Sequence, residues 1–232
     1  MSITMARAAG EELAAVCGIA HDDGPAAALG EMQRMLTPGG LVCGATGWAL
    51  VPAAHDDAPM VVVIGSERYA AQDTALTRLS TPALCARGLT AVHARRSGDA
   101  HPEPAPGTAA AVSLMSGHVR LGLATRLREA ALLHLRDRTS GGVALLQQQA
   151  VKSTFADAAL DLLLARRQLD LAELEDRAAV RAHARLTRAG RTLLSLLGAG
   201  GYLLTGAGAD AHVSEMAANV FAAGAAHAEG TP

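Results

Sequence analysis

Gly141 and Gly142 stand between two long stretches in which apolar residues return at the helical period. Before them, Leu114, Leu121, Leu127, Ala131, Leu132 and Leu135 hold one stripe over roughly 109–138. After them, Ala150, Val151, Phe155, Ala158, Leu162 and Ala165 hold another over about 144–169, with Gln149 on the same inward face. A glycine pair so placed stops one helix and lets the chain reverse, which predicts two neighbouring helices joined by a tight turn. The polar run 170–178 then leads to a third pattern over 176–198, carried by Val180, Ala184, Leu186, Leu193 and Leu197. A Gly-rich loop at 198–210 precedes a fourth, over about 211–227. Four such helices with short joins predict an antiparallel bundle over 109–232. Half the residues are hydrophobic but only 2% are aromatic, so this core is packed mainly by Ala and Leu.

The chain before 109 has a different texture. Residues 1–37 are Ala-rich and read as two short helices punctuated by His-Asp-Asp-Gly-Pro at 21–25, with Thr-Pro-Gly-Gly at 37–40 ending them. From 38 to 108 the pattern is that of a small β domain. Val-rich runs at 41–54 and 59–66, and an alternating run at 88–96, are bounded by Gly, Pro and Asp. The Pro-rich segment 97–107 reads as a linker. The expected fold is therefore mainly α: a helical segment, a small β domain and a four-helix bundle.

Several function classes are disfavoured at this stage. The net charge of −2 with mixed signs, and the lack of a basic block, argue against nucleic acid. Cys17, Cys43 and Cys85 are odd in number and widely spaced, which predicts reduced thiols rather than a disulfide frame. Nine histidines are scattered without a ligand spacing, so no metal site is expected. Glu11 and Glu12 lie where a secretory signal needs its apolar core, and no apolar stretch is long enough to span a bilayer. A cytoplasmic location is the resulting expectation. The loop 198–208 lacks the Gly-Lys-Ser/Thr of a phosphate-binding loop.

Around the glycine pair, Arg138, Gly142, Leu145, Gln149, Ala150, Val151, Ala156 and Asp157 stand in the order R-x-x-x-G-x-x-L-x-x-x-Q-A-V-x-x-x-x-A-D. This resembles the helix junction in the C-terminal bundle of acyl-CoA dehydrogenases. Gly122 and Ala124 fit that family's G-x-A upstream; Ala-Ala-Val-Arg at 178–181, Gly-Gly-Tyr at 200–202 and Glu-Gly-Thr at 229–231 fit its later segments. Trp48 falls where the family places a flavin-contacting tryptophan in its middle domain.

The resemblance implies an FAD site and an acyl-thioester substrate. Arg138, Trp48, Gln149, Gly200 and Gly201 would be the cofactor-binding residues, with Arg138 pairing with the pyrophosphate, often across a subunit boundary. Glu229 would be the catalytic carboxylate that takes a proton beside the thioester. Departures shape the reading. Gly141 replaces the family's Phe, Leu50 its Thr and Leu197 its Gln, and the flavin-binding T-E-P-x-x-G-S-D segment is absent. Residues 1–37 are also shorter than the family's N-terminal domain. Together these predict one subunit of a flavin-dependent dehydrogenase working with a more complete partner chain, or a homo-oligomer. The alternatives are a purely structural subunit and a cofactor-free acyl-binding descendant.

Overall fold

The computed structural model describes residues 3–54, 58–98, 100–172, 177–203 and 206–222, with side chains from Gly10 onward. Two helices open the chain, α1 (Ile3–Asp22) and α2 (Pro25–Leu36). Pro25 occupies the first turn of α2, where its missing N–H and fixed φ are no handicap.

Seven strands follow: β1 (Leu41–Cys43), β2 (Trp48–Pro52), β3 (Val61–Ile64), β4 (Glu67–Ala70), β5 (Thr74–Leu79), β6 (Leu89–Arg96) and β7 (Glu103–Pro104). A single helical turn, α3 (Pro82–Cys85), lies between β5 and β6. The strands form two sheets, ordered β1-β3-β4-β7 and β2-β6-β5, antiparallel except for β1 against β3. Period-2 alternation divides their side chains between two cores. Leu41, Cys43, Ala49, Val51, Val62, Val92 and Ala94 pack in one cluster. Val42, Leu50, Val63, Leu89 and Ala91 point the other way and meet helical residues.

That second core is shared along the chain. It joins Val16, Leu29 and Met32 of the first helices to Val112, Met115, Val119 and Leu123, and to Val213, Ala217 and Phe221 near the other end of the sequence. The segment 97–107, expected as a linker, supplies the edge strand β7 through the pairs Arg68↔Glu103 and Glu67↔Pro104. Proline is compatible with a strand at a sheet edge, where its missing donor costs no ladder bond.

The rest is helical. α4 (Thr108–Arg136) runs about 43 Å through the molecule at 1.5 Å per residue. A two-residue hairpin, β8 (Thr139–Ser140) and β9 (Val143–Ala144), reverses the chain through Gly141 and Gly142. Their φ values of 59° and 77° belong to the left-handed region that such turns require. Then come α5 (Gln149–Asp170), α6 (Ala178–Leu197) and α7 (Ala207–Ala217), which passes into a π-helical turn at Ala218–Ala222.

Side-chain levels fix the directions. The carbonyl and hydroxyl of Ser113 face His183, and Arg120 faces Thr187, so α4 and α6 run in parallel. Leu169 lies over Gly117, and Gly208 over Gly201, so α5 and α7 run the other way. The bundle core holds Leu121, Leu127 and Ala131 of α4, Ala158, Leu162 and Ala165 of α5, and Leu186 and Leu193 of α6.

Two expectations are corrected here. A 3₁₀ turn at Leu145–Gln147 delays α5 until Gln149, so Gln149 and Ala150 are exposed first-turn residues, not inward ones. The fourth helix begins at Ala207, within the stretch expected as loop. Its Gly208 is required by packing: a Cβ there would lie 1.8 Å from the Gly201 carbonyl oxygen.

Candidate functional site

The residues singled out in the sequence fall at two separate places. The first is the start of β2. Trp48 lies directly opposite His93 on β6, and the two rings stack with centroids 4.4 Å apart and planes 17° from parallel. Directly opposed residues on one sheet face are the natural pair for such a stack. The half-buried indole also packs against the helix-facing core. Nearby, the turn between β1 and β2 closes on the π-helical turn: a Cβ at Gly44 would be 1.8 Å from the Val220 carbonyl oxygen.

The second place is the opposite end of the bundle. Arg138 sits on the hairpin after α4 with its backbone carbonyl accepting from the Leu145 N–H at 2.8 Å. Its side chain is exposed, with no hydrogen bond or ion pair to the described residues. Gly200 and Gly201 lie in a 3₁₀ turn at Gly198–Tyr202, past the C-terminal end of α6. Gly201 lines a cavity of about 380 Å³ between that turn and the first turns of α7. Leu194, Ala211 and the exposed Tyr202 give it apolar walls; Arg191 and Glu215 close one side as a two-pronged ion pair at 2.9 Å.

The two places do not meet in one chain. The core cluster against which Trp48 packs reaches along α4 no further than Leu123. Arg138 lies beyond Arg136, about 20 Å further along the helix axis. One face of the indole is already covered by His93. Trp48 and the pair Arg138 and Gly201 therefore lie at separate places in the chain. Glu229 lies outside the described residues.

Two polar clusters went unnoticed in the sequence. Arg120 is fully buried in the middle of α4 and, among the described residues, faces no carboxylate at ion-pair distance. Its donors go instead to Ser214 Oγ at 3.2 Å, to Thr187 Oγ1 at 2.7 Å, and to the His183 ring at 2.8 Å and carbonyl at 3.2 Å. Burial lowers its pKa to about 10, so the guanidinium remains charged at neutral pH. Burial and then the Arg120 charge press His183 down to about 4, which keeps it neutral. The second cluster is Asp210, buried in the first turn of α7, with Arg87 at 2.9 Å and Arg126 at 3.6 Å. The 2.9 Å pair is close enough for charge attraction, but Arg87 Nε and Asp210 Oδ1 are not aligned as a hydrogen bond. Arg87 also donates to the Gly206 carbonyl, so the loop after α3 is tied to the start of α7. Burial raises the Asp210 pKa against the pull of the two arginines. Both clusters pin helices.

Among the described residues, no group of His, Cys, Asp and Glu has the arrangement of a metal site, and no helix is long and apolar enough to cross a membrane.

No family model and no curated protein matches the sequence. Among solved structures, the fold is that of acyl-CoA dehydrogenases. FkbI, of methoxymalonyl extender-unit biosynthesis, superposes with a TM-score of 0.59 at 18% identity, over 98% of this chain and 86% of its own. A variant of the Tcur3481–Tcur3483 steroid ACAD gives 0.59 at 18% identity, over 79% of this chain and 58% of its own. The ChsE4–ChsE5 complex from Mycobacterium tuberculosis gives 0.56 at 18% identity, over 84% and 64%. The chain thus spans less than two thirds of the last two, and at this identity the likeness establishes the fold.

Proposed function

We propose that this chain, which has the acyl-CoA dehydrogenase fold, is one subunit of an FAD-dependent acyl-thioester α,β-dehydrogenase and works with a second chain. The observation that carries the reading is the separation of Trp48 from Arg138 and Gly201 by the length of the bundle. Residues of the types that suit a flavin are present, but at opposite ends, so a flavin contacts both sets only across a subunit boundary. The steroid ACAD and ChsE4–ChsE5 structures are named as pairs of chains, which fits such an arrangement.

In that assembly the exposed Arg138 guanidinium is the anion clamp, since its planar fork matches phosphate oxygens and it has no competing partner among the described residues. Gly201 stands on the wall of the cavity at that end of the bundle. Trp48 supplies a flat apolar surface at the sheet. Bound FAD would supply the hydride acceptor. Glu229 is the candidate base for the proton next to the thioester carbonyl.

The sole tryptophan makes the test direct. A flavin beside Trp48 quenches its fluorescence. FAD added to the isolated chain is expected to leave that emission unchanged and to bind well below stoichiometry. Quenching and a yellow complex are expected once the partner chain is present. Stoichiometric FAD in the isolated chain overturns the proposal.

A second reading, a purely structural subunit, is favoured by the His93 ring stacked on Trp48. Glu229→Gln separates the two. Loss of dehydrogenation in the complex assigns the base to this chain; an unchanged rate places it on the partner.

A further inference from the structure

A second cavity, of about 360 Å³, lies away from the bundle end, where α1, α4 and α5 converge. Its origin is steric. Gly122 brings α4 hard against α1, since a Cβ there would lie 2.2 Å from the Cys17 carbonyl oxygen and 2.7 Å from Ala20 Cβ. α5 does not close the gap that remains beside this crossing. The floor is apolar, made by the buried Leu121 and Leu162.

The rim carries two arginines and one carboxylate. Arg128, half-buried, and Arg166 both line the cavity, and neither has a hydrogen bond or ion pair with the described residues. That departs from the habit of this bundle. Arg185 and Arg188 share Asp161, Arg191 holds Glu215, and Arg87 and Arg126 face Asp210. Glu129, the carboxylate on the cavity wall, is already spent on His21, whose Nε2 lies 2.9 Å from it. Hydrogen bonds to Asp22 and then to Glu129 raise the His21 pKa, which favours the protonated ring beside that carboxylate. Cys17 adds no anion, because burial raises its thiol pKa against the opposing pull of Arg166. Half-buried Arg128 and exposed Arg166 thus have no anion partner among the described residues, beside an apolar floor.

We infer that this cavity binds a small amphipathic anion, a carboxylate or phosphate on a short aliphatic body, with Arg128 and Arg166 holding the head group and Leu121 and Leu162 meeting the tail. A cavity of this size is on the scale of small-ligand pockets, and charge-assisted bonds from guanidinium suit both oxyanions. The inference is independent of the flavin reading, since it uses none of the same residues.

Cys17 makes the site measurable. It lines the cavity and is half-buried, whereas Cys85 is exposed and Cys43 buried. Maleimide labelling of Cys17, followed by mass spectrometry, has Cys85 as its internal reference. Hexanoate or hexyl phosphate is expected to slow labelling of Cys17 severalfold and leave Cys85 unaffected. The compound protecting at lower concentration identifies the head group. Arg128→Gln and Arg166→Gln are each expected to raise the half-protecting concentration about tenfold. Arg166→Lys, which keeps the charge, should retain part of the effect, and melting temperatures confirm that each variant is folded. Equal protection by 1-hexanol or by inorganic phosphate alone overturns the proposal, as does protection that survives both glutamine variants. Absence of protection by both anions overturns it too. So does shielding of Cys17 that grows with protein concentration and needs no added anion, which would make a second copy the occupant.

Discussion

His183 carries the clearest pH dependence of the molecule. In the unfolded chain its imidazole takes up a proton near pH 6.5; in the fold, burial and Arg120 delay this to about pH 4. Between those values the unfolded state binds more protons, so stability rises with pH. The contribution is therefore complete above about pH 6.5 and is lost as the pH falls toward 4, by roughly 3 kcal/mol for a shift of this size. Urea unfolding at pH 7 and pH 4.5 should show a larger loss in the wild type than in His183→Gln; parallel losses would contradict this account. His21 acts in the opposite sense, because its pKa is raised and its contribution fades as the pH climbs through that raised value. None of this chemistry was legible in the sequence. Arg120 reads there as a polar interruption of an apolar stripe, and its partners His183 and Ser214 lie 63 and 94 residues away. Long-range burial, not local pattern, gives these residues their properties.

Elements were legible where one face alone is buried. The helical period located α4, α5 and α6 to within a few residues, apart from the delayed start of α5, where hairpin and 3₁₀ turn occupy residues read as helix. β1, β2 and β3 announced themselves by Val-rich runs and β6 by alternation. β4 and β5 did not, since both are largely exposed and so lack apolar alternation. The glycines of the helices make a sharper test of the packing. Gly122→Ala should cost upward of about 2 kcal/mol, because its new methyl meets the α1 backbone, which has no flexible tip to move aside. Gly190→Ala, inside α6 with nothing within 4 Å of the added Cβ, should instead be neutral or stabilise by up to about 1 kcal/mol. Denaturant midpoints of the two variants measured side by side check the pair; equal shifts would mean that α1 does not press on α4 as described. Loosening that crossing should also open the Cys17 cavity and speed labelling of its thiol.

For the whole molecule, the decisive feature is an apolar stripe turned away from its own core. Around α5, Ala158, Leu162, Ala165 and Leu169 occupy the buried face. Leu160, Leu164 and Leu171 fall within about 40° of one another on the opposite side, at 100° per residue, and all three are exposed. Scattered exposed leucines need no explanation, but a stripe in register along three turns of one helix does. The sequence resemblance implies a partner chain or a homo-oligomer, and this stripe is the face on which we place that contact. Under the proposed function, the partner chain would cover this stripe and complete the site to which Trp48 and Arg138 contribute from separate places. The two requirements stand or fall on separate measurements. Leu160→Gln with Leu164→Gln should convert a dimer or larger assembly into a monomer by light scattering at micromolar concentration. The core should stay intact, as both side chains are already exposed and their replacement is expected to change the unfolding free energy by less than about 1 kcal/mol. A wild-type chain that is monomeric both alone and with its partner removes the basis for a shared site. An assembly that survives both substitutions puts the interface on another face, and leaves the division of Trp48 from Arg138 to be bridged there.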